Sequence, residues 1–279
     1  MNLYTIDTGF FKLDGGAMFG VVPKVIWQKI HTPDSNNLCT WAMRCLLIES
    51  EGRLALIDTG MGDKQNEKFF SYYYPHGDAT LISSLKKHGF APEDVTDVIL
   101  THLHFDHCGG AVKRTADGNY APTFPNAVYW SHPAHWDWAV TPNEREKASF
   151  LPENFLPLQT SGQLQFVTEG QPILPGVDFI LANGHTEAQI IPHIHYKDKT
   201  IVYMADLLPS PGHLPLPYVM GYDVRPLVTL AEKKTFLQSA QERNHILFFE
   251  HDAHIECCTL QMTDKGVRMA EAMPLAAVL

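Results

Sequence analysis

Short apolar runs recur along the chain, and most of them stop on a glycine, an acid or a histidine. Residues 3–8, 41–49, 53–57, 95–100, 127–130, 177–181, 190–196, 200–204 and 245–249 are rich in β-branched and aromatic side chains. Their length and flanking Gly, Pro, Asn and Asp predict strands. Ser50-Glu51-Gly52 joins the second run to the third as a hairpin. Three stretches have helical spacing instead. Residues 79–88 place Leu81, Ile82 and Leu85 on one side, with Gly89 as the stop. Residues 132–140 carry Trp136 and Trp138, and residues 226–243 carry an apolar stripe of Leu227, Leu230, Phe236, Leu237 and Ala240. Residues 141–176, rich in Pro, Gln, Asn and Thr, read as a connecting excursion. Glycines punctuate residues 13–23, yet Met18, Phe19, Val21 and Val22 are too apolar for an idle surface loop. Either this segment packs on the protein's own core or a dimer contact, or it forms an apolar wall over a binding site.

What the strand-like runs end in changes the picture. The run before residue 101 leads into Thr101-His102-Leu103-His104-Phe105-Asp106-His107, which sets three imidazoles and a carboxylate within six residues. These are the donors a borderline-soft divalent metal takes. In an extended segment alternate side chains share a face, so His102 and His104 reach one ion, while a turn after Phe105 swings Asp106 and His107 towards a second. The competing account is a surface loop that happens to be rich in histidine. The pattern repeats at His185, a third ligand for the first metal; at Asp206, whose two oxygens can bridge two cations; and at His251, which completes the second. Asp252 and His254 are outer partners, and Asp58, beside the Thr59-Gly60 turn, orients the metal loop or is a plain turn aspartate. His132 and His135 lack a third ligand nearby, and His193 and His195 read as structural.

The 279 residues are 45% hydrophobic and 19% charged, the composition of an ordinary globular chain, and residues 1–279 read as a single domain. A formal charge of −10 argues against a nucleic-acid partner. The start of the chain lacks a basic segment followed by an apolar one, and no run is long enough for a membrane span, so a cytoplasmic protein is expected. The five cysteines form no CxxC pair and read as buried thiols.

His102, His104, Asp106 and His107, followed by His185, Asp206 and His251 and preceded by Asp58-Thr59-Gly60, resemble the metallo-β-lactamase superfamily of hydrolases over most of the chain. The resemblance implies an α/β fold, a four-layer αβ/βα sandwich of two mixed β-sheets flanked by helices. It implies two divalent cations, zinc first, with manganese, iron or cobalt able to fill the same donors. His102, His104 and His185 would hold the first, Asp106, His107 and His251 the second, with Asp206 between them. Residues 14–24, 102–110 and 251–253 are similar to a bacterial branch of quorum-quenching lactonases, with methyl parathion hydrolase a further relative. In acyl-homoserine lactonases a tyrosine three residues past the bridging aspartate contacts the lactone; here that place is Pro209. His213 and Tyr222 are candidate substitutes, and Met18 and Phe19 candidate pocket residues.

The expected activity is hydrolysis of lactone esters such as N-acyl-homoserine lactones by a metal-bridging hydroxide. Asp106 passes the proton to the leaving alkoxide, and Asp206 holds the metals. The partner is then a small ester or lactone, with a homodimer compatible with the apolar segment near Phe19. An organophosphate triesterase or aryl-esterase would use the same ligands. A catalytically silent binding protein on this fold would be expected to have lost some of them, and all seven are present.

Overall fold

The computed structural model describes all 279 residues. They form two compact units, one of residues 1–9 and 43–173, the other of residues 10–42 and 174–279.

The first unit is built on the hairpin that the sequence predicts. β1 is Asn2–Asp14, β2 Leu38–Ser50 and β3 Arg53–Ile57. Glu51 and Gly52 form the two-residue turn, both with positive φ, and Ser50 pairs with Arg53. That turn geometry matches the twist of the strands it joins. β4 (Asp97–Ile99) lies parallel to β3, β5 (Val112–Arg114) and β6 (Tyr120–Pro122) form a separate ribbon, and β7 (Val128–Ser131) and β8 (Leu164–Phe166) continue the sheet in parallel. The sheet order is β1-β2-β3-β4-β7-β8, and the boundary between the units falls within β1 and within β2.

Leu47, Leu56, Val98, Leu100 and Tyr129 share a core with Leu81 and Leu85 from the helix Leu81–Lys87. That helix starts on a Thr80–Ser83 capping box and stops at Gly89, φ +88°. Ile82, expected on its apolar side, is 43% exposed, because only positions four apart face the sheet. Asp97 sits fully buried in β4, where Arg53 and the Trp130 indole at 2.8 Å neutralise and satisfy it. Residues 141–176 are more than an excursion. They contain the helix Pro152–Thr160, which buries Phe155 and Leu158, and the strand β8. Pro157 inside that helix and the shortness of β8 hid both from a reading by periodicity.

The second unit carries β9 (Val177–Ala182), β10 (Gln189–Tyr196), β11 (Lys199–Tyr203), β12 (Ile246–Phe248), β13 (Cys257–Thr263) and β14 (Gly266–Met273), ordered β14-β13-β12-β11-β10-β9. Only β11 and β12 are parallel, and a parallel pair needs a crossover. The helix Pro226–Glu242 supplies it. Its buried face is Thr229, Lys233, Phe236, Leu237 and Ala240, while Leu227, expected in the stripe, is 79% exposed in the first turn. The final hairpin, β13 and β14, lies in a stretch where no strands are expected.

Residues 13–23 take the first of their two readings, as part of the core of this unit. Asp14 caps the short helix Gly15–Phe19 by accepting from the Ala17 amide at 2.8 Å. Met18 and Phe19 are buried, and Phe19 stacks on Trp27 and on His213. Of its apolar residues Met18, Phe19, Val21 and Val22, Val21 stands clear, at 93% exposure. No helix is long and apolar enough to cross a membrane.

Candidate metal centre

Each unit brings metal-competent side chains together at the C-terminal ends of its strands. In the first unit, β4 runs out into an extended segment and then the short helix Phe105–Cys108, which begins just after His104. His102, His104, Asp106 and His107 are all buried. His102 Nε2 lies 3.1 Å from His104 Nδ1. Two nitrogens bound at about 2.0–2.1 Å to one tetrahedral cation would be separated by roughly that edge. Asp106 Oδ2 stands 3.7 Å from His107 Nε2.

The opposite nitrogens of these rings are held by the protein. Asp58 is the centre of that arrangement: its carboxylate accepts from the Thr101 amide at 2.8 Å, the Thr101 hydroxyl at 2.7 Å and His107 Nδ1 at 3.2 Å. With its own proton committed to Asp58, the Thr101 oxygen accepts from His102 Nδ1 at 3.1 Å. Asp58 itself has φ +58°, a conformation that costs a non-glycine residue and is kept only when its surroundings fix it. His104 Nε2 faces Glu146 Oε1 at 3.5 Å, and Glu146 is positioned by the Trp138 indole at 2.7 Å and the Asn143 amide at 2.5 Å. His135 Nε2 accepts from the Leu103 amide at 2.8 Å, so it braces the loop, and His132 Nδ1 caps its own helix through the Ala134 amide. Gly109 closes the motif where nothing larger fits, since a Cβ there would stand 2.0 Å from the Met61 carbonyl.

Beside Asp106, the Phe105 ring meets Phe69 edge-on at 5.2 Å and Tyr73 at 4.5 Å. Burial, reinforced by the charge of Asp106, pushes the Tyr73 hydroxyl up to about 12, so it stays a neutral donor.

In the second unit, His185 follows β9, Asp206 follows β11 in a short 3₁₀ turn, and His251 follows β12. Asp206 stands between the two imidazoles, with Oδ2 at 3.0 Å from His185 Nε2 and Oδ1 at 3.0 Å from His251 Nε2. Ala205, just before it, has φ +42°. His251 Nδ1 donates to the Ala42 carbonyl at 2.8 Å, and His185 Nδ1 to Asp223 at 2.9 Å. Burial by itself would lower the His185 pKa, but Asp206 and Asp223 outweigh it and lift the imidazolium to about 10. An imidazole between two carboxylates is a place built for positive charge.

Asp252 caps the turn after His251 through the amides of His254 and Ile255. His195 pairs with Asp178 at the surface, and His193 packs edge-on against Phe236. His213, a candidate lactone partner, has both nitrogens occupied, Nδ1 by Ser210 Oγ at 2.9 Å and Nε2 by the Met18 carbonyl at 2.9 Å. Burial pushes its pKa down to about 3, and its ring is stacked under Phe19, so it is a packing and capping group. Tyr222 lies at the surface, 38% exposed.

Asp223 and Glu146 were not legible as site residues. Asp223 sits shortly before Pro226 and reads as a helix-start acid, and Glu146 belongs to a local Asn143 turn. Nothing local in the sequence says which histidine each will reach.

This chain belongs to the metallo-beta-lactamase superfamily, whose family model matches residues 44–251. It has the fold of that superfamily, mixed α/β with sheets flanked by helices, and it is a hydrolase. An N-acyl homoserine lactonase of Bacillus cereus is 24% identical over 268 residues, covering 91% of this chain and 94% of that one. Among solved structures, a probable metal-dependent hydrolase from Staphylococcus aureus is 26% identical with a TM-score of 0.89, covering 98% and 96% of the two chains. A dizinc quorum-quenching lactonase in complex with a product is 22% identical with a TM-score of 0.81, covering 98% and 95%.

Proposed function

We propose that the chain is a two-metal hydrolase, one domain over residues 1–279, that opens the ester of N-acyl-homoserine lactones. In this reading His102, His104 and His185 would hold one divalent cation and Asp106, His107 and His251 the other, with Asp206 shared between them. The observation that carries it is Asp206, whose two oxygens each stand 3.0 Å from a different imidazole. The orientation of the other ring nitrogens supports it, because a metal-bound imidazole needs its free N–H held by a partner. Five imidazole and two carboxylate side chains suit zinc. When bound, such ions make hydroxide available at neutral pH and offset charge on an oxyanion. Asp106 is the group placed to carry a proton to the leaving alkoxide. Phe69, Phe105 and Tyr73 give an aromatic wall beside it, fit for an apolar substrate, with the Tyr73 hydroxyl a neutral donor. The lactonase relatives point to the same substrate class.

Acid release from a long-chain N-acyl-homoserine lactone, with chelated protein as the blank, tests the reading. The expected kcat/KM exceeds about 10⁴ M⁻¹s⁻¹. No acid release from protein shown to hold two metals would sink the lactone assignment and leave phosphotriesters and aryl esters for the same ligands.

Metal uptake also has a proton signature. Without metal, the raised pKa keeps His185 protonated at pH 7.5; its contribution to stability is full below pH 6.5 and is lost progressively as the pH rises towards about 10. A cation at Nε2 must displace that proton. Titrating Zn²⁺ into metal-free protein in buffers of different ionisation enthalpy is expected to show release of about one proton or more per chain. Heats independent of the buffer would contradict it.

A further inference from the structure

One residue on the buried face of the helix Pro226–Glu242 is out of keeping with its neighbours. Lys233 is 0% exposed. Its ammonium points into a ring of main-chain oxygens, donating to the carbonyls of His213 and Tyr218 at 2.7 Å, Pro215 at 3.2 Å and Leu216 at 3.4 Å. Three N–H groups serve four acceptors, so the longer contacts share a proton. An unpaired buried ammonium would be very costly, and helix-stripe logic puts an apolar residue here. Burial pulls the Lys233 pKa down to about 7, while the nearby Asp223 charge opposes that shift. A ring of carbonyl oxygens is also how proteins replace the hydration of a monovalent cation.

The segment so gathered, residues 213–218, leads directly to Asp223, which holds His185 Nδ1. The residue next to Lys233 acts on the other side of that pair. Glu232 accepts from the amides of Asn183 at 2.7 Å and Gly184 at 3.1 Å. The amides of Val224 and Arg225 bond the carbonyls of His185 and Gly184. Gly184 packs so closely on the helix that a Cβ would stand 2.2 Å from Thr229 Oγ1. One turn of helix therefore grips both strands of chain that meet at His185, one through amides and one through carbonyls.

We propose that Lys233 is a positioning residue for His185: an internal cation, caged by four carbonyls, that fixes the segment carrying Asp223 and thereby the donor nitrogen of the metal ligand. It rests on the reading of His185 as a ligand, and it places a determinant of metal affinity on a residue that never touches the metal.

The full-length protein loaded with Co²⁺ tests it, by the d–d absorption spectrum and by affinity from chelator competition. Lys233→Gln keeps two N–H donors on a side chain one atom shorter but removes the charge, and Asp223→Asn weakens the partner of His185. Each is expected to weaken one Co²⁺ by about 10–100-fold and to alter its spectrum. Acting through one another, the two should not add, so the double variant should lose no more than the worse single one. Wild-type affinity and spectrum in folded Lys233→Gln would overturn the proposal, as would fully additive losses. Should Lys233→Gln not fold, Lys233→Ala prepared with propylammonium, a mimic of the missing side chain, is expected to regain the wild-type spectrum, and failure to regain it would count against the proposal. Wild-type protein that takes up no Co²⁺ would instead overturn the metal-centre reading itself.

Discussion

Asp206→Ala is expected to lower hydrolysis by about 10³-fold, the scale on which removal of a single electrostatic element acts, and to reduce bound metal to one ion or fewer per chain. The side chain is only 10% exposed and stands 3.0 Å from both His185 and His251. Without it the two imidazoles face each other with no charge between them, and only Asp223 is left to oppose the effect of burial on His185. Metal content by emission spectrometry, read beside steady-state kinetics, distinguishes this from a loss of fold. Two metals and undiminished turnover in the variant would show that Asp206 bridges nothing.

Asp58→Ala is expected to be the costliest change in the first unit, destabilising the protein by about 3–5 kcal/mol in urea unfolding. The carboxylate is 0% exposed and accepts from the Thr101 amide, the Thr101 hydroxyl and His107 Nδ1. Each buried donor left without a partner costs about 1–3 kcal/mol, and the three act as one network, so the sum is not simply additive. Against a typical stability of about 5–15 kcal/mol this is a large share. Loss of the carboxylate would also free the His102 and His107 rings to turn, so metal affinity should fall with stability. A change below about 1 kcal/mol would reduce Asp58 to an ordinary turn residue.

The two residues differ in how they could be read. Asp206 was legible because a lone acid at the end of an apolar strand, Lys199–Tyr203, is out of keeping with its surroundings. Asp58 was legible only as one of two alternatives, because an aspartate before Thr59-Gly60 is also what a turn uses. Its three hydrogen bonds reach 43 and 49 residues along the chain, and local sequence carries no record of distances that long.

By itself, the sequence determined the main strands, the hairpin at Glu51-Gly52, the crossover helix and the side chains fit for metal, because period, turn chemistry and donor type are local properties. It could not decide which faces those elements bury. Ile82 and Leu227 stand exposed, Met18 and Phe19 are packed away, and a lysine lies at the heart of a helix face. Nor could it decide what holds each imidazole. Asp223 reaches His185 across 38 residues, and Glu146 reaches His104 from a stretch that reads as a connecting excursion. Those choices belong to tertiary structure, because burial and hydrogen-bond satisfaction depend on what arrives from elsewhere in the chain, and a buried polar group is stable only where its partner has arrived too.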